Sequence, residues 1–224
     1  MHLINEFYRR VFGSFGGLRP TIFLFLCVAI LSELLYFFVI AKKRRELGLP
    51  VGMKYLVLRY LFYVYLMFVY RQTGIRGVFW SGRAVDPSRI YLIPFTTSPD
   101  PTPYYLNILM TIPLGLLLPF IWSAMRKGWK VIVVGFMFSF GIEFTQLFTN
   151  RVTSTSDLIT NTAGTIIGYL IFLIFFSWTM HSSSDLATTK TESKLLNNEA
   201  ILYLILSFSG AVVLNHPLIR TVLS

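Results

Sequence analysis

The chain has a single cysteine, Cys27, among 224 residues, so an intrachain disulfide is excluded. Its three histidines, His2, His181 and His216, are scattered and give no metal-ligand spacing. Acidic residues number only 10, and charged residues of both signs make up 13%. A soluble domain usually carries about a quarter charged residues, so a soluble enzyme or binding module is a poor reading. Phosphate loops, dinucleotide fingerprints and zinc motifs are missing. No cofactor and no metal are expected. No histidine stands near the Ser/Thr hydroxyls around Asp157 in sequence, so they do not form a nucleophile triad.

Apolar character is what the chain has in plenty. Hydrophobic residues reach 54%, aromatics 17%, and mean hydropathy is +0.64. The net charge of +10 has no basic soluble domain to carry it onto nucleic acid, which is not an expected partner. In an apolar chain the excess of Lys and Arg reads as anchoring at anionic lipid headgroups and as control of topology.

Apolar runs at 21–41, 54–70, 104–124, 130–148, 158–178 and 200–214 predict an all-α, polytopic membrane bundle of about six spanning helices. The first run is long for a signal peptide and no small-residue cleavage site follows it, so it reads as a retained helix. Lys42, Lys43, Arg44 and Arg45 are expected to stop it. Before it, Leu3, Phe7, Val11 and Phe15 recur every four residues beside Arg9 and Arg10, making 1–20 an amphipathic interfacial segment. The membrane bundle occupies 21–179, a polar loop 180–199, and the last apolar helix with its tail 200–224.

The connection 71–103 carries Arg71, Arg76, Arg83 and Arg89, which suit anionic headgroups. Within it, 90–95 is apolar but too short to span, so it reads as re-entrant or interfacial. Ser98, Pro99, Pro101 and Pro103 are expected to break any helix there, and Pro113 and Pro119 to kink the helix that follows. The loops 42–54 and 125–130 are short and densely basic. The positive-inside rule makes them cytoplasmic and puts the 71–103 connection and the 149–157 turn outside.

The richest stretch is 136–168. Ser139, Glu143 and Gln146 fall at helical spacings of four and three, on one face. Arg151 and Asp157 lie in the turn that follows, and Asn161 about one turn into the next helix. With Asn107 at the outer start of the third helix, these residues predict one outward-facing polar pocket, since a carboxylate in lipid faces protein or water. Asp157 has a second reading: Ser154-x-x-Asp157 resembles a capping box. Gly164-x-x-x-Gly168 predicts close helix packing. Glu33 and Arg59 sit at similar depth on neighbouring helices and predict a structural ion pair.

Three blocks of the chain resemble the VanZ-like family of bacterial membrane proteins. They are Leu92-Ile93-Pro94-Phe95; Asn107-Ile108-Leu109 with Ile112-Pro113-Leu114-Gly115 and Pro119; and Ile142-Glu143, Gln146, Arg151, Asp157-Leu158, Asn161-Thr162, Gly164 and Gly168-Tyr169. The resemblance covers about residues 90–170. It implies a multi-pass protein of the bacterial cell membrane, in a Gram-positive-type envelope. Some members lower susceptibility to teicoplanin, a lipid-bearing glycopeptide. Members often carry further acidic residues just before the Asp-Leu pair. Here Ser154 and Ser156 stand at those positions, which argues against a metal held by a carboxylate cluster.

Three function classes follow. The favoured one is a non-transporting envelope protein whose pocket contacts membrane lipids, a lipoglycopeptide or a lipid-linked cell-wall precursor at the outer leaflet. An intramembrane enzyme acting on a lipid phosphate would use Glu143 or Asp157 as acid or base and Arg151 as clamp, but no recognised catalytic spacing demands it. A proton-coupled transporter would use Glu33 and Glu143, but no internal repeat accompanies the six runs.

Overall fold

In lipid, every backbone N–H and C=O must find a partner within the chain, and long apolar runs joined by short turns meet that demand as helices. The computed structural model describes residues 18–47, 52–75, 85–149, 151–176 and 193–214. The first helix, α1 (Leu18–Leu35), runs through a π-helical turn (Tyr36–Ile40) into α2 (Ala41–Glu46). Then come α3 (Met53–Thr73), α4 (Thr102–Ile121), α5 (Gly128–Gln146), α6 (Thr155–Phe175), the short α7 (Lys194–Asn197) and α8 (Glu199–Leu214). By length and composition, α3, α4, α5 and α6 can each cross a membrane, and α8 is a shorter apolar helix. The chain is an all-α membrane helix bundle.

Three local expectations are corrected. Lys42–Arg45 do not stop the first helix; they form α2, where Lys43 pairs with Glu46 and Arg44 with Glu199, each at 3.1 Å. Basic residues are good helix formers and suit the C-terminal end of the helix dipole, so they end the apolar run without ending the helix. Pro101 and Pro103 do not exclude helix either. Proline is tolerated in a first turn, where its missing N–H has no helical partner to lose, and α4 starts at Thr102 with Asp100 accepting from the Thr102 N–H at 3.0 Å. Within the expected 180–199 loop, Lys194–Asn197 is helical. The expected segment up to residue 17, Arg76, Arg83 and residues 177–192 lie outside the described residues.

Glycine sets the tightest packing. A Cβ at Gly164 would lie 2.2 Å from the Ile108 carbonyl oxygen, one at Gly168 2.0 Å from that of Ile112, and one at Gly115 1.9 Å from that of Thr165. The backbones of α4 and α6 therefore touch along both helices, and only glycine fits at these points. Gly135 of α5 meets the Thr165 side chain in the same way. These contacts hold α4, α5 and α6 as one unit. Helix α3 closes the bundle with Phe62, Tyr63 and Leu66, all fully buried.

The apolar 90–95 stretch forms a short strand followed by a turn, with Leu92, Ile93 and Phe95 exposed. Ile90–Tyr91 (β1) pairs in parallel with Thr153–Ser154 (β2), in register Ile90 to Thr153 and Tyr91 to Ser154. Beyond it, Phe95 takes a left-handed backbone (φ 62°), and its N–H donates to Ser156 Oγ at 2.7 Å. The connection is thereby tied to the start of α6.

Candidate functional site

The polar ends of four helices meet beside that tie. Gln146 ends α5, and its Nε2 donates to the Thr73 carbonyl at the end of α3, at 3.1 Å. Directly after Thr73, Gly74 caps α3 at φ 69°, with Arg151 laid across it; a Cβ there would fall 2.9 Å from Arg151 Cδ. Glu143 is 6% exposed, and its Oε2 accepts the Ser154 N–H at 2.8 Å. Asn107 of α4 donates through Nδ2 to Asp157 Oδ1 at 2.8 Å. Asn161 donates through Nδ2 to Ser139 Oγ at 3.1 Å.

The capping expectation for Asp157 is corrected by these bonds. Ser154 does cap α6, its Oγ accepting from the Ser156 N–H at 3.0 Å. The Ser154 N–H, which a capping box would pair with residue 157, goes to Glu143 on the preceding helix. Asp157 instead ties α6 to α4 through Asn107. The reason is proximity: the turn between α5 and α6 folds back so that its strand β2 packs on α5.

Between α3, α4, α5 and α6 opens a cleft of about 620 Å³. Asn107, Glu143, Gln146, Arg151, Asp157 and Asn161 line its polar end. Its apolar wall is Tyr65, Phe68, Leu109, Met110 and Pro113. Leu109 is 48% exposed, so the apolar wall continues to the bundle surface. Ser139 is 1% exposed and lies between α5 and α6 behind the cleft, holding Asn161 rather than lining the space. Gln72, Thr73 and Tyr65 line the cleft and were not singled out from sequence. A helix stop at Thr73-Gly74 was the available signal for the first two. Tyr65 had none, being one aromatic in an aromatic-rich helix; its hydroxyl donates to the Met110 carbonyl at 3.1 Å, beside the turn that Pro113 weakens.

Two buried oxygens at the polar end have no hydrogen-bond partner: Gln146 Oε1 and Asn161 Oδ1. The Gln146 amide is oriented by its neighbour, since a backbone carbonyl can only accept and so must face the Nε2 group. Its oxygen therefore points away from Thr73 as an unmatched acceptor. Among the described residues, no group of three or more His, Cys, Asp or Glu stands where it could hold a metal ion.

Residues 57–176, just over half of the chain, match the VanZ/LLP1 family. The chain belongs to that family. No curated protein and no solved structure matches it. The VanZ/LLP1 match takes in every residue that lines the cleft.

It takes in only part of a second polar cluster. Arg59, fully buried on α3, donates to Glu33 of α1 and, at 3.2 Å, to the Tyr203 hydroxyl of α8. Its guanidinium lies 4.1 Å from the Tyr36 ring centroid, with the rings of Tyr60 and Tyr203 each at 5.6 Å. Tyr55 donates to Glu199, which also pairs with Arg44. Glu33, Tyr36, Glu199 and Tyr203 fall outside the VanZ/LLP1 match.

Of the arginines in the 71–103 connection, Arg71 lies in the last turn of α3. Arg89 pairs with Asp86 at 3.1 Å on the exposed surface. Hydrogen bonds from the Ser88 hydroxyl and N–H, and then Arg89, hold the Asp86 carboxyl below the usual carboxylate range.

Proposed function

We propose that this protein is a multi-pass protein of the bacterial cell membrane whose cleft receives an amphiphilic or lipid-linked molecule at the outer leaflet. Through that contact it lowers susceptibility to lipid-bearing glycopeptides such as teicoplanin. The observation that carries this reading is the cleft's two-part wall, with eight polar or charged residues toward one end and Tyr65, Phe68, Leu109, Met110 and Pro113 at the other. Such a wall suits a ligand with a polar head and an apolar body. Buried polar side chains in a membrane bundle are costly to keep without a role.

The outer-leaflet placement rests on charge. Arg126, Lys127 and Lys130 lie at the start of α5 and the cleft at its end, roughly 25 Å away along the helix. Lys42–Arg45 and the start of α3 lie far from the cleft too. The positive-inside rule assigns those basic turns to the cytoplasm. Arg71, Arg76, Arg83 and Arg89 would then attract anionic headgroups on that side.

The test is teicoplanin susceptibility of a sensitive host expressing the chain or its Glu143→Gln variant, with membrane abundance measured in parallel. Resistance that needs the carboxylate at equal abundance supports the reading. Equal resistance from both proteins would return Glu143 to a packing role. In a Cys27→Ser background, an impermeant thiol reagent applied to intact cells should label Ile93→Cys but not Lys127→Cys. The reverse pattern would put the cleft on the cytoplasmic side.

A further inference from the structure

The chemistry of the polar end favours one kind of head group. Glu143 and Asp157 supply two carboxyl groups against one guanidinium, Arg151. Gln146 Oε1 and Asn161 Oδ1 add two buried acceptors with no donor of their own. Gln146 and Asn161 are 5% and 2% exposed, so bulk water does not readily serve those oxygens, and an unmatched buried acceptor is destabilising.

We infer that the cleft takes the protonated amine head of an amphiphile, with the alkyl portion along the Tyr65–Pro113 wall. This rests on the amphiphile reading above and adds the head-group class to it. An ammonium brings three donors and no acceptor. It can satisfy Gln146 Oε1 while resting between the Glu143 and Asp157 carboxyls. A phosphate brings only acceptors. It would have Arg151 as one partner, would leave Gln146 Oε1 unmatched, and would face two carboxylates. Arg151 is also drawn toward the end of α3, across Gly74. An amine head could belong to a membrane aminolipid or to an acylated amine arriving from outside; both present the same group to these oxygens.

The experiment uses the full-length protein in phosphatidylcholine nanodiscs, with empty nanodiscs as the blank. Four probes are titrated: dodecylammonium, dodecyl phosphate, dodecanol and butylammonium. Dodecylammonium should bind at least tenfold more tightly than the other three. Gln146→Met and Asp157→Asn should each remove most of that preference, and two variants guard against one failing to fold. Tighter dodecyl phosphate binding, lost in Arg151→Gln, would overturn the amine head and leave the amphiphile reading intact. Equal binding of the three long-chain probes would do the same. Butylammonium matching dodecylammonium would overturn the need for a tail, and with it the amphiphile reading. Binding no stronger than to empty nanodiscs, or unchanged in both variants, would overturn both. Should the preference hold, the same titration with an aminolipid added to the nanodisc and with a soluble acylated amine identifies the source.

Discussion

Two polar clusters are built into this bundle, roughly 20 Å apart along α3, and they are made on opposite plans. Around Arg59, charges come in matched pairs, Arg59 with Glu33 and Arg44 with Glu199. Aromatic rings close over them: Tyr36, Tyr55, Tyr60 and Tyr203 all lie within 6 Å of the Arg59 guanidinium. Arg59 Nε, Arg44 Nε and the Tyr36 hydroxyl lack hydrogen-bond partners there too, but both guanidiniums lie over tyrosine rings. In the cleft, two carboxyl groups meet one arginine, and the Gln146 and Asn161 amide oxygens are buried without a hydrogen-bond partner. The contrast separates two reasons for keeping charge in a membrane. A neutral, enclosed cluster locks α1, α3 and α8 together. A polar cluster bordering a cavity leaves room for a ligand, which is what the proposed function requires. The VanZ/LLP1 match, which includes all of the second and only part of the first, divides the molecule along the same line.

The largest expected effect breaks the enclosed cluster. Arg59→Gln and Glu33→Gln each remove half of an ion pair whose arginine is fully buried and whose glutamate side chain is 37% exposed. A fully buried pair would cost about 3–5 kcal/mol to break one-sidedly, so about 2–3 kcal/mol is expected here. The double variant should recover about 1–2 kcal/mol of the summed loss. Thermal or denaturant unfolding of the purified protein gives all three values. Strict additivity would mean that the two side chains do not stabilise each other. Resistance per folded molecule should be unaffected, which is the mark of a packing cluster.

The next effect is on the other cluster and has the opposite signature. Glu143→Gln keeps an acceptor for the Ser154 N–H, so folded abundance should stay within about 0.5–1 kcal/mol of wild type. It removes the charge, and a hydrogen bond to a charged group contributes about 1.5–3 kcal/mol. Affinity for the amine head should therefore fall by roughly one to two orders of magnitude, read by titration in nanodiscs. A loss of fold without a loss of affinity per folded molecule would erase the distinction between the clusters.

How far the two were legible in the sequence follows from the range of the interactions. Glu143 and Gln146, three residues apart, share a helix face whatever else the chain does, and Gly164 and Gly168 share one too. The similar depths of Glu33 and Arg59 followed from helix rise alone. The tie between β1 and β2 did not, because two paired residues leave no periodic pattern. The transfer of the Ser154 N–H to Glu143 was equally hidden: Ser154-x-x-Asp157 has its own local explanation, and only the fold-back of the turn overrides it. Lys42–Arg45 misled because charge that halts an apolar run does not halt a helix. Tyr203 and Tyr36 were invisible as Arg59 partners among so many tyrosines.

A smaller effect is expected at Gly74, which no charge pattern marks. Its φ of 69° suits glycine, and a Cβ would press on Arg151 at 2.9 Å. Gly74→Ala should cost about 1–2 kcal/mol for the left-handed backbone. It should also push Arg151 off the end of α3, changing the charge lining the cleft. Unfolding and amine titration on the same preparation should both shift, whereas a shift in stability alone would mean that Arg151 does not influence the head site.

The smallest effect tests how the cleft orients its own acceptors. Ser139 does not line the space; it receives the Asn161 Nδ2 proton at 3.1 Å, which leaves Asn161 Oδ1 without a partner. Interhelical hydrogen bonds of this kind in membrane proteins average about 0.6 kcal/mol, so Ser139→Ala should lower stability by roughly that amount. Without the hydroxyl, the buried Nδ2 group has no partner, and the amide gains by rotating its donors toward the cleft. An acceptor for the amine head is then replaced by a donor. Affinity for dodecylammonium should fall several-fold, while dodecyl phosphate should bind no more weakly than before. Removal of the Tyr203 hydroxyl, in Tyr203→Phe, takes a comparable hydrogen bond from Arg59 and should change stability alone. If Ser139→Ala instead behaves like Tyr203→Phe, Asn161 belongs to the packing of α5 on α6, and the head site reduces to Glu143, Gln146 and Asp157.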